Sequence, residues 1–325
     1  MASISSSIQK YLEMVRLSRS LNTFLTYRKA MEHLSRVLTG HGLDIEKLDI
    51  SALTEDVVSW TIRSLQYHAA SSERLHLTAL IGYFEYLSAE NLTTINAQKV
   101  RLLIKQRARK PGIRLPQFPK DAISQLLEKM ESLTVTESMD DAEKLRLLRD
   151  RAFLITLGET GLRVHEACKL TLGDMDWTEG RAIVIGKGNR EAVVRFSRRS
   201  EKAIIEYLKL RAPHDKKSGR AIGPLPLFAR HDKGSGKSTK PMTPTTGRNI
   251  VDYWVREILG EDAAGTITPH SFRHYFVTRV LQSSGNLKLG QELARHKNIA
   301  VTQRYAHLSD DELDKGYWDV FEKKS

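Results

Sequence analysis

Residues 182–196 read Ala-Ile-Val-Ile-Gly-Lys-Gly-Asn-Arg-Glu-Ala-Val-Val-Arg-Phe, and this stretch decides the fold class. Two short runs rich in β-branched residues, 182–185 and 192–196, flank the polar, glycine-containing segment 186–189. That pattern predicts a β-hairpin. The sequence around it has apolar residues at helical spacing, in 122–133, 142–160, 202–210, 245–259, 271–282 and 287–294. We therefore expect a helix-rich α+β domain with one small antiparallel sheet.

The first third of the chain has helical periodicity alone. Apolar residues recur three and four positions apart, as in Ile8, Tyr11, Leu12 and Val15. The pattern predicts four or five helices and no strand, which is a small all-helical bundle. The predicted fold class is therefore mainly α with a small antiparallel β-sheet, divided between an N-terminal helical bundle and a C-terminal α+β domain.

The charge of the chain favours a polyanionic partner. The 325 residues include 51 Lys and Arg against 39 Asp and Glu, a formal charge of +12. This length exceeds that of one ordinary domain. The surplus is uneven, because residues 1–108 carry 13 basic and 10 acidic side chains, a net +3, and the remainder carries +9. A basic surplus of this size is typical of nucleic-acid-binding proteins, although composition alone does not require that function.

Cysteine usage and hydropathy bear on the cellular compartment. Cys168 is the one cysteine, which excludes an intramolecular disulfide framework and a Cys-based zinc site and suits a reducing compartment. The N-terminus has no signal-peptide pattern, and no run approaches the roughly 18 apolar residues of a membrane span. We expect a soluble, cytoplasmic protein with no membrane partner.

A basic stretch predicts the boundary between the two domains. From Asn91 to Lys120 the sequence has no acid, and Pro111, Gly112, Pro116 and Pro119 interrupt any helix there. We predict a helical domain over 1–108, a basic linker over 109–118 and a second domain over 119–325. A charge run of this kind is either a solvated linker or a segment that lies along DNA phosphates. The candidate DNA-binding residues are Lys99, Arg101, Lys105, Arg107, Arg109, Lys110 and Arg114.

The segment Gly234-Ser-Gly-Lys-Ser-Thr239 is similar to a nucleotide phosphate loop, but its context excludes that function. His231 stands where the first glycine of the motif is needed. Pro241 and Pro244 follow where the motif's helix should begin. We interpret the segment as a flexible basic loop.

Four further motifs carry residues suited to phosphate chemistry. They are Gly161-Leu-Arg163-Val-His165-Glu166, His270-Ser-Phe-Arg273, Gln291-Glu-Leu-Ala-Arg-His296 and Thr302-Gln-Arg-Tyr305. A His and an Arg three apart share one face of a helix and could hold a phosphate. The spacing alone is not specific, since His33 and Arg36 repeat it in the helical bundle.

Taken in order, these motifs resemble the catalytic domain of the tyrosine recombinases, the phage-integrase family that includes the Xer and Cre recombinases. That family has an Arg after Gly-Leu with an acid three residues on, a Lys in a hairpin turn, a His-x-x-Arg, a second His or Trp, and a Tyr about nine residues later. The matching residues here are Arg163, Glu166, Lys187, His270, Arg273, His296 and Tyr305. The resemblance spans about 117–310, and the preceding helical domain is similar in kind to the family's core-binding domain.

The resemblance implies a role for each of these residues. Tyr305 would attack DNA to form a 3′-phosphotyrosyl link, and Lys187 would protonate the leaving 5′-oxygen. Planar, permanently charged guanidinium groups suit the nonbridging phosphate oxygens, the task implied for Arg163 and Arg273. His270 and His296 would supply acid–base catalysis and hydrogen bonds, and Glu166 would orient an arginine through an ion pair. We expect no metal, ATP or other cofactor.

One position departs from the family pattern. The family usually has Leu-Gly before the second His, and this chain has Ala294-Arg295. Glycine permits a tight turn there, and Arg295 could add a phosphate contact. His165 and His274 are expected to pack beside the motif residues, and Cys168 to be a small buried side chain.

The implied partners are double-stranded DNA, further copies of the chain in a tetramer on two DNA sites, and accessory DNA-bending proteins. An aromatic cluster in the tail, Tyr317, Trp318 and Phe321, would dock either on a neighbouring protomer or on its own domain. Two other functions share part of this sequence pattern. One is a type IB topoisomerase-like enzyme, and the other is a non-catalytic DNA-binding regulator.

Overall fold

The structure is a computed structural model, and it describes residues 3–109, 121–186, 190–217, 219, 221–231, 239–296 and 298–303. The chain divides into two compact units, Met1–Ile113 and Arg114–Ser325. The division falls within the predicted linker, 109–118. Residues 110–120 lie outside the described part, so the linker itself stays a prediction. No helix in the described ranges is long and apolar enough to cross a membrane.

The first unit is a helical bundle, as the sequence predicts. Its α-helices are α1 (Ile4–Ser18), α2 (Leu21–Gly40), α3 (Asp56–Ser64), α4 (Ala70–Ala89) and α5 (Ala97–Arg107). Side chains that favour helix starts begin three of them, since Ser3, Ser20 and Asn96 each accept a backbone N–H of the first turn. The apolar faces meet in one core that includes the fully buried Tyr83 and Phe84. Residues 3–109 form no strand, as expected.

The second unit contains the remaining helices and the sheet. Its α-helices are α6 (Ala122–Ser132), α7 (Asp141–Thr160), α8 (Val164–Ala167), α9 (Arg198–Lys217), α10 (Pro244–Leu259), α11 (Pro269–Ser284), α12 (Leu287–Ala294) and α13 (Ile299–Gln303). The helix α7 is the centre of the core, because α6, α9 and α11 all pack against it. Its residues Phe153, Leu154 and Leu157 are fully buried. The predicted helices of this domain are confirmed.

The sheet has three antiparallel strands in the order β1 (Met175–Asp176), β2 (Arg181–Gly186) and β3 (Arg190–Arg195). The β2–β3 pairing runs from Arg181 opposite Arg195 to Gly186 opposite Arg190, which confirms the predicted hairpin. Ala182 and Val184 face the core and the alternate residues face outward, as the period of two requires. The sequence did not indicate β1, because two residues are too few to show alternation.

Close packing fixes α8, the short helix that carries two of the motif residues. In α10, Gly247 lies so near α8 that an added Cβ would sit 2.7 Å from Val164 Cγ2 and 3.0 Å from Phe153 Cζ. A larger residue at this position would force the two helices apart. The absence of a side chain at Gly247 therefore sets where Arg163 and Glu166 stand.

Candidate active site

The end of α7 and the start of α8 position the first arginine. Gly161 ends α7 in the left-handed conformation, with φ of 60°, which glycine adopts without a steric cost. Arg163 then begins α8, and its backbone N–H and Nη1 donate to Oε2 and Oε1 of Glu166 at 2.9 and 2.8 Å. The Glu166 side chain is 2% exposed and that of Arg163 is 41% exposed. The carboxylate is thus a buried anchor, and the arginine reaches from it toward solvent.

The second arginine is held by the carboxyl ends of two helices. Arg273 lies in the second turn of α11 and is buried. Its Nη1 donates to the carbonyl oxygen of Gly161 at 2.6 Å, and its Nη2 donates to the carbonyl oxygen of Ala294, the last residue of α12. Carbonyl groups at helix ends carry partial negative charge and lack partners within the helix. They stabilise the guanidinium and fix its plane.

Three of the predicted site residues line one cleft. Arg163, His270 and Arg273 form part of a cleft of about 470 Å³, together with the apolar side chains of Val164 and Ile267. Permanent cations gathered in a partly apolar cleft suit an anionic ligand, because the low-dielectric surroundings strengthen each charge–charge contact. The resemblance of the sequence motifs to those of the tyrosine recombinases implied this convergence.

The cleft also contains a basic residue that the sequence analysis did not single out. Arg248, on α10, is exposed and lines the same cleft as Arg163 and Arg273. It belongs to no recognisable motif. A third arginine raises the positive potential of the cleft, and only the folding of α10 against α8 and α11 brings it there.

Burial and neighbouring arginines keep the site histidines neutral. Burial, reinforced by Arg273, lowers the pKa of His270 below its usual value and that of His296 to about 4. Burial and the nearby His270 lower the pKa of His274 to about 4, and the His270 and His274 rings meet edge to face with centroids 4.3 Å apart. The neutral imidazole can accept a proton, and a bound phosphate would offset the arginine charge and raise these pKa values.

The turn before His296 forms although position 295 holds arginine where the family usually has glycine. Arg295 itself adopts the left-handed conformation, with φ of 56°, directly after α12. His296 is then held by its backbone N–H, which donates to the Gln291 carbonyl at 3.0 Å, and by a 2.9 Å hydrogen bond between Nδ1 and Thr302 Oγ1. Thr302 is buried in α13. The histidine is therefore tied to the helix that precedes Tyr305 in the chain.

Arg295 makes its contacts within the protein. Its Nη2 donates to Glu166 Oε2 at 2.9 Å, and its side chain is 13% exposed. Burial alone would raise the pKa of Glu166. The Arg295 charge and the hydrogen bonds from Arg163 outweigh that effect and hold this pKa below its usual range.

Two other residues singled out from the sequence lie beside the site. Cys168 is buried, and burial raises the pKa of its thiol to about 12, as suits a small packing residue. His165 follows Arg163 on α8 and is partly buried, which lowers its pKa. His165 was expected to pack beside the motif residues, and Cys168 was expected to be a small buried side chain.

Several predicted residues lie outside the described part of the chain. They are Lys187, Tyr305, the tail residues Tyr317, Trp318 and Phe321, and most of the loop at Gly234–Thr239. Lys187 lies in the chain between Gly186 and Arg190, which pair with each other. Tyr305 stands two positions after the last residue described. Their roles stay predictions.

The basic residues before the linker are held mainly within the first unit. Lys99 pairs with Glu55 at 2.9 Å, Arg101 pairs with Glu85, and Arg107 donates to the hydroxyl of Ser59. Lys105 is exposed on α5, and Lys110 and Arg114 lie outside the described residues.

Arg109, the first residue of the predicted linker, has the most extensive contacts of the described candidate DNA-binding residues. Its Nε donates to Glu73 Oε2 at 2.6 Å, its backbone N–H donates to Oε1 of the same carboxylate at 2.9 Å, and its Nη2 donates to two carbonyl groups. The Glu73 side chain is 1% exposed. Arg109 therefore neutralises a buried carboxylate of the helical bundle.

Comparison with known proteins places the chain in a family. A model of the phage integrase family matches residues 117–312. The chain belongs to the phage integrase family. It is 27% identical over 318 residues to tyrosine recombinase XerD of Brucella melitensis, covering 96% of this chain and 95% of the relative. It is 30% identical over 300 residues to tyrosine recombinase XerC of Vibrio cholerae, covering 92% and 86%.

Solved structures support the same fold. The chain superimposes on XerH recombinase bound to a palindromic difH substrate, in a post-cleavage complex, with a TM-score of 0.70 and 18% identity, covering 98% of this chain and 85% of that one. A lambda integrase dimer bound to a COC′ core site gives a TM-score of 0.64 at 16% identity, covering 94% and 95%. The recombinase resemblance and the fold class drawn from the sequence are thus confirmed.

The contacts of Arg109 predict a structural effect for its removal. We expect Arg109→Ala to lower the free energy of unfolding by about 1–3 kcal/mol. This loss is smaller than that from breaking a fully buried ion pair, because Arg109 is partly exposed. Chemical denaturation measures the change. Arg107→Ala, which removes only an exposed contact to a hydroxyl, serves as the control and should cost under about 0.5 kcal/mol. Wild-type stability in Arg109→Ala, combined with weaker DNA binding, would show a DNA contact instead.

The low pKa values of His274 and His296 predict the direction of a pH effect. Between pH 6.5 and about 4 these histidines are neutral when folded and protonated when unfolded, so unfolding takes up protons. The melting temperature should therefore fall as the pH is lowered through this window. His274→Gln should flatten the dependence, and His214→Gln, which replaces an exposed histidine, should not. Equal slopes in wild type and His274→Gln would contradict the assignment.

Proposed function

We propose that this tyrosine recombinase cleaves and rejoins duplex DNA at specific sites, with Tyr305 as nucleophile and Arg163, Arg273, His270, His296 and Lys187 as the groups that assist it. The observation that carries the proposal is the convergence of Arg163, His270 and Arg273 on one cleft. The family and the relatives, which are named tyrosine recombinases, support it. DNA is the partner, as in the related XerH and lambda integrase complexes.

The arginines would stabilise the charge that develops during attack. A phosphodiester is already anionic, and addition of a nucleophile concentrates more charge on its nonbridging oxygens. Arg163 and Arg273 are fixed in advance, by a buried carboxylate and by helix-end carbonyls respectively, so little reorganisation is needed in the transition state. Loss of one such preorganised donor costs about 10²–10³ in rate in comparable sites.

The reaction conserves the phosphodiester bond energy. The Tyr305 oxygen would form a bond to phosphorus while the bond from phosphorus to the 5′-oxygen breaks, which leaves a 3′-phosphotyrosyl link and a 5′-hydroxyl. Lys187 would give the leaving oxygen its proton, and a neutral histidine could accept the proton of the phenol. Attack by the 5′-hydroxyl of another strand reverses these steps, so rejoining needs no ATP.

We propose further that the active assembly is four protomers on two DNA sites, as the resemblance implies, with accessory DNA-bending proteins as additional partners. The tail residues Tyr317, Trp318 and Phe321 are the candidate contacts between protomers. A type IB topoisomerase-like enzyme would act as a monomer and relax DNA of any sequence.

A trapping experiment tests the proposal. The wild-type protein first selects its site from duplexes with a randomised central segment. A nick near the cleavage position then lets the cleaved end diffuse away, so a covalent protein–DNA adduct should accumulate. Tyr305→Phe should abolish the adduct and keep DNA affinity, and Arg163→Lys should slow its formation by about 10²-fold or more.

The same samples separate the alternatives. Native mass spectrometry of the bound complex should find four protomers on two duplexes. A wild-type protein that binds the site and forms no adduct would favour a non-catalytic regulator. Relaxation of a supercoiled plasmid that lacks the selected site, by single protomers, would favour the topoisomerase-like function.

A further inference from the structure

Arg295 occupies a backbone conformation that costs an arginine energy. Its φ of 56° lies in the left-handed region, which glycine enters freely and residues with a Cβ rarely adopt. In the described part of the chain, Asn91 is the one other residue besides glycine with positive φ, and asparagine tolerates it well. The side chain of Arg295 must therefore make contacts that compensate for the strained backbone.

Those contacts lead to the arginine anchor of the cleft. Arg295 Nη2 donates to Glu166 Oε2 at 2.9 Å and lies 3.5 Å from the Gly161 carbonyl oxygen. The opposite oxygen of the same carboxylate, Oε1, accepts from Arg163 Nη1 at 2.8 Å. Glu166 is almost fully buried, at 2% exposure, and it bridges the two guanidinium groups.

The ion pair with Glu166 offsets only part of the cost of burying the Arg295 side chain. Arg295 Nη1 is buried and has no hydrogen-bond partner among the described residues, which is a cost to folding. Arg295 is absent from the lining of the cleft that contains Arg163, His270 and Arg273. The geometry therefore favours action through Glu166 over direct contact with a ligand in that cleft.

We propose that Arg295 is a positioning residue for strand cleavage, which fixes the Glu166 carboxylate so that Arg163 keeps one orientation toward the scissile phosphate. The inference rests on the proposed function. Without Arg295, Oε2 would keep only the backbone N–H of Arg163, and the carboxylate could turn and release the Arg163 side chain. Since 41% of that side chain is exposed, few other contacts would hold it.

Replacement by glycine tests the side chain without disturbing the turn. Arg295→Gly suits the left-handed backbone and removes the guanidinium. In single-turnover cleavage of the nicked duplex that carries the selected site, we expect adduct formation to slow by about 10–100-fold, the range found when a residue supporting a metal ligand is removed. DNA affinity should stay within about 3-fold of wild type, because no phosphate contact is lost. Arg295→Lys should restore most of the rate, because a single donor makes the contact.

A double-mutant cycle separates positioning from a general effect on folding. If Arg295 acts through Glu166, then Arg295→Gly should change the rate by less than about 3-fold in a Glu166→Gln background. Arg28→Ala, which removes an exposed ion pair with Glu32 on α2, is the matched control and should leave the rate unchanged. All rates are compared well below the lowest melting temperature of the set.

Three results would overturn the inference. One is a wild-type rate of adduct formation in Arg295→Gly. Another is that Arg295→Gly slows the reaction by the same factor in the Glu166→Gln background as in the wild type. The third is a loss of DNA affinity alone, which would make Arg295 a direct phosphate contact. The proposed function fails separately, if the wild-type protein itself forms no adduct on the selected duplex.

Discussion

Arginine side chains of like charge must be held close together in this site, and that constraint shapes the second unit. Arg163 and Arg295 both contact the Glu166 carboxylate, and Arg273 contacts the carbonyl groups of Gly161 and Ala294. Mutual repulsion would drive the guanidinium groups into solvent. A buried carboxylate and the carboxyl ends of two helices supply the opposing charge, and both are fixed parts of the fold.

Left-handed residues at two helix ends make this arrangement possible. Gly161 ends α7 and Arg295 follows α12, with φ of 60° and 56°. Each turns the chain sharply, so that the carbonyl of Gly161 and that of Ala294 both reach Arg273. The core places α7 at the centre of the domain, and Gly247 allows α10 to approach α8. The positions of the arginines thus follow from helix ends and close packing more than from loops.

A site of this kind is organised before substrate arrives. Arg273 cannot turn without losing two carbonyl contacts, and Arg163 cannot turn without losing the Glu166 carboxylate. The histidines are neutral because burial and nearby arginines disfavour a further positive charge, and the same arginines would attract the proposed phosphate. The proposed phosphate binding and proton transfer would therefore depend on the same contacts that stabilise the fold.

The sequence predicted the local features and missed those that depend on the tertiary structure. The helices and the hairpin around residue 187 could be predicted from the sequence, because each depends on a pattern among neighbouring residues. The prediction that Glu166 orients an arginine through an ion pair named no partner, and the structure shows that Arg163, three residues before it, is one of them. The pair of Arg295 with Glu166 joins residues far apart in sequence, and the acid-free stretch before the linker gave no sign of partners such as Glu73 on another helix.

The central claim is that Arg163 and Arg273 neutralise one phosphate, and a substrate with an altered phosphate tests it most directly. A methyl group in place of one nonbridging oxygen at the scissile position removes the negative charge that an arginine would neutralise. Cleavage by Arg163→Ala should then recover by at least about 10²-fold relative to the same variant on ordinary DNA, which is the cost expected of one lost donor. Equal impairment of Arg163→Ala on both substrates would contradict the account.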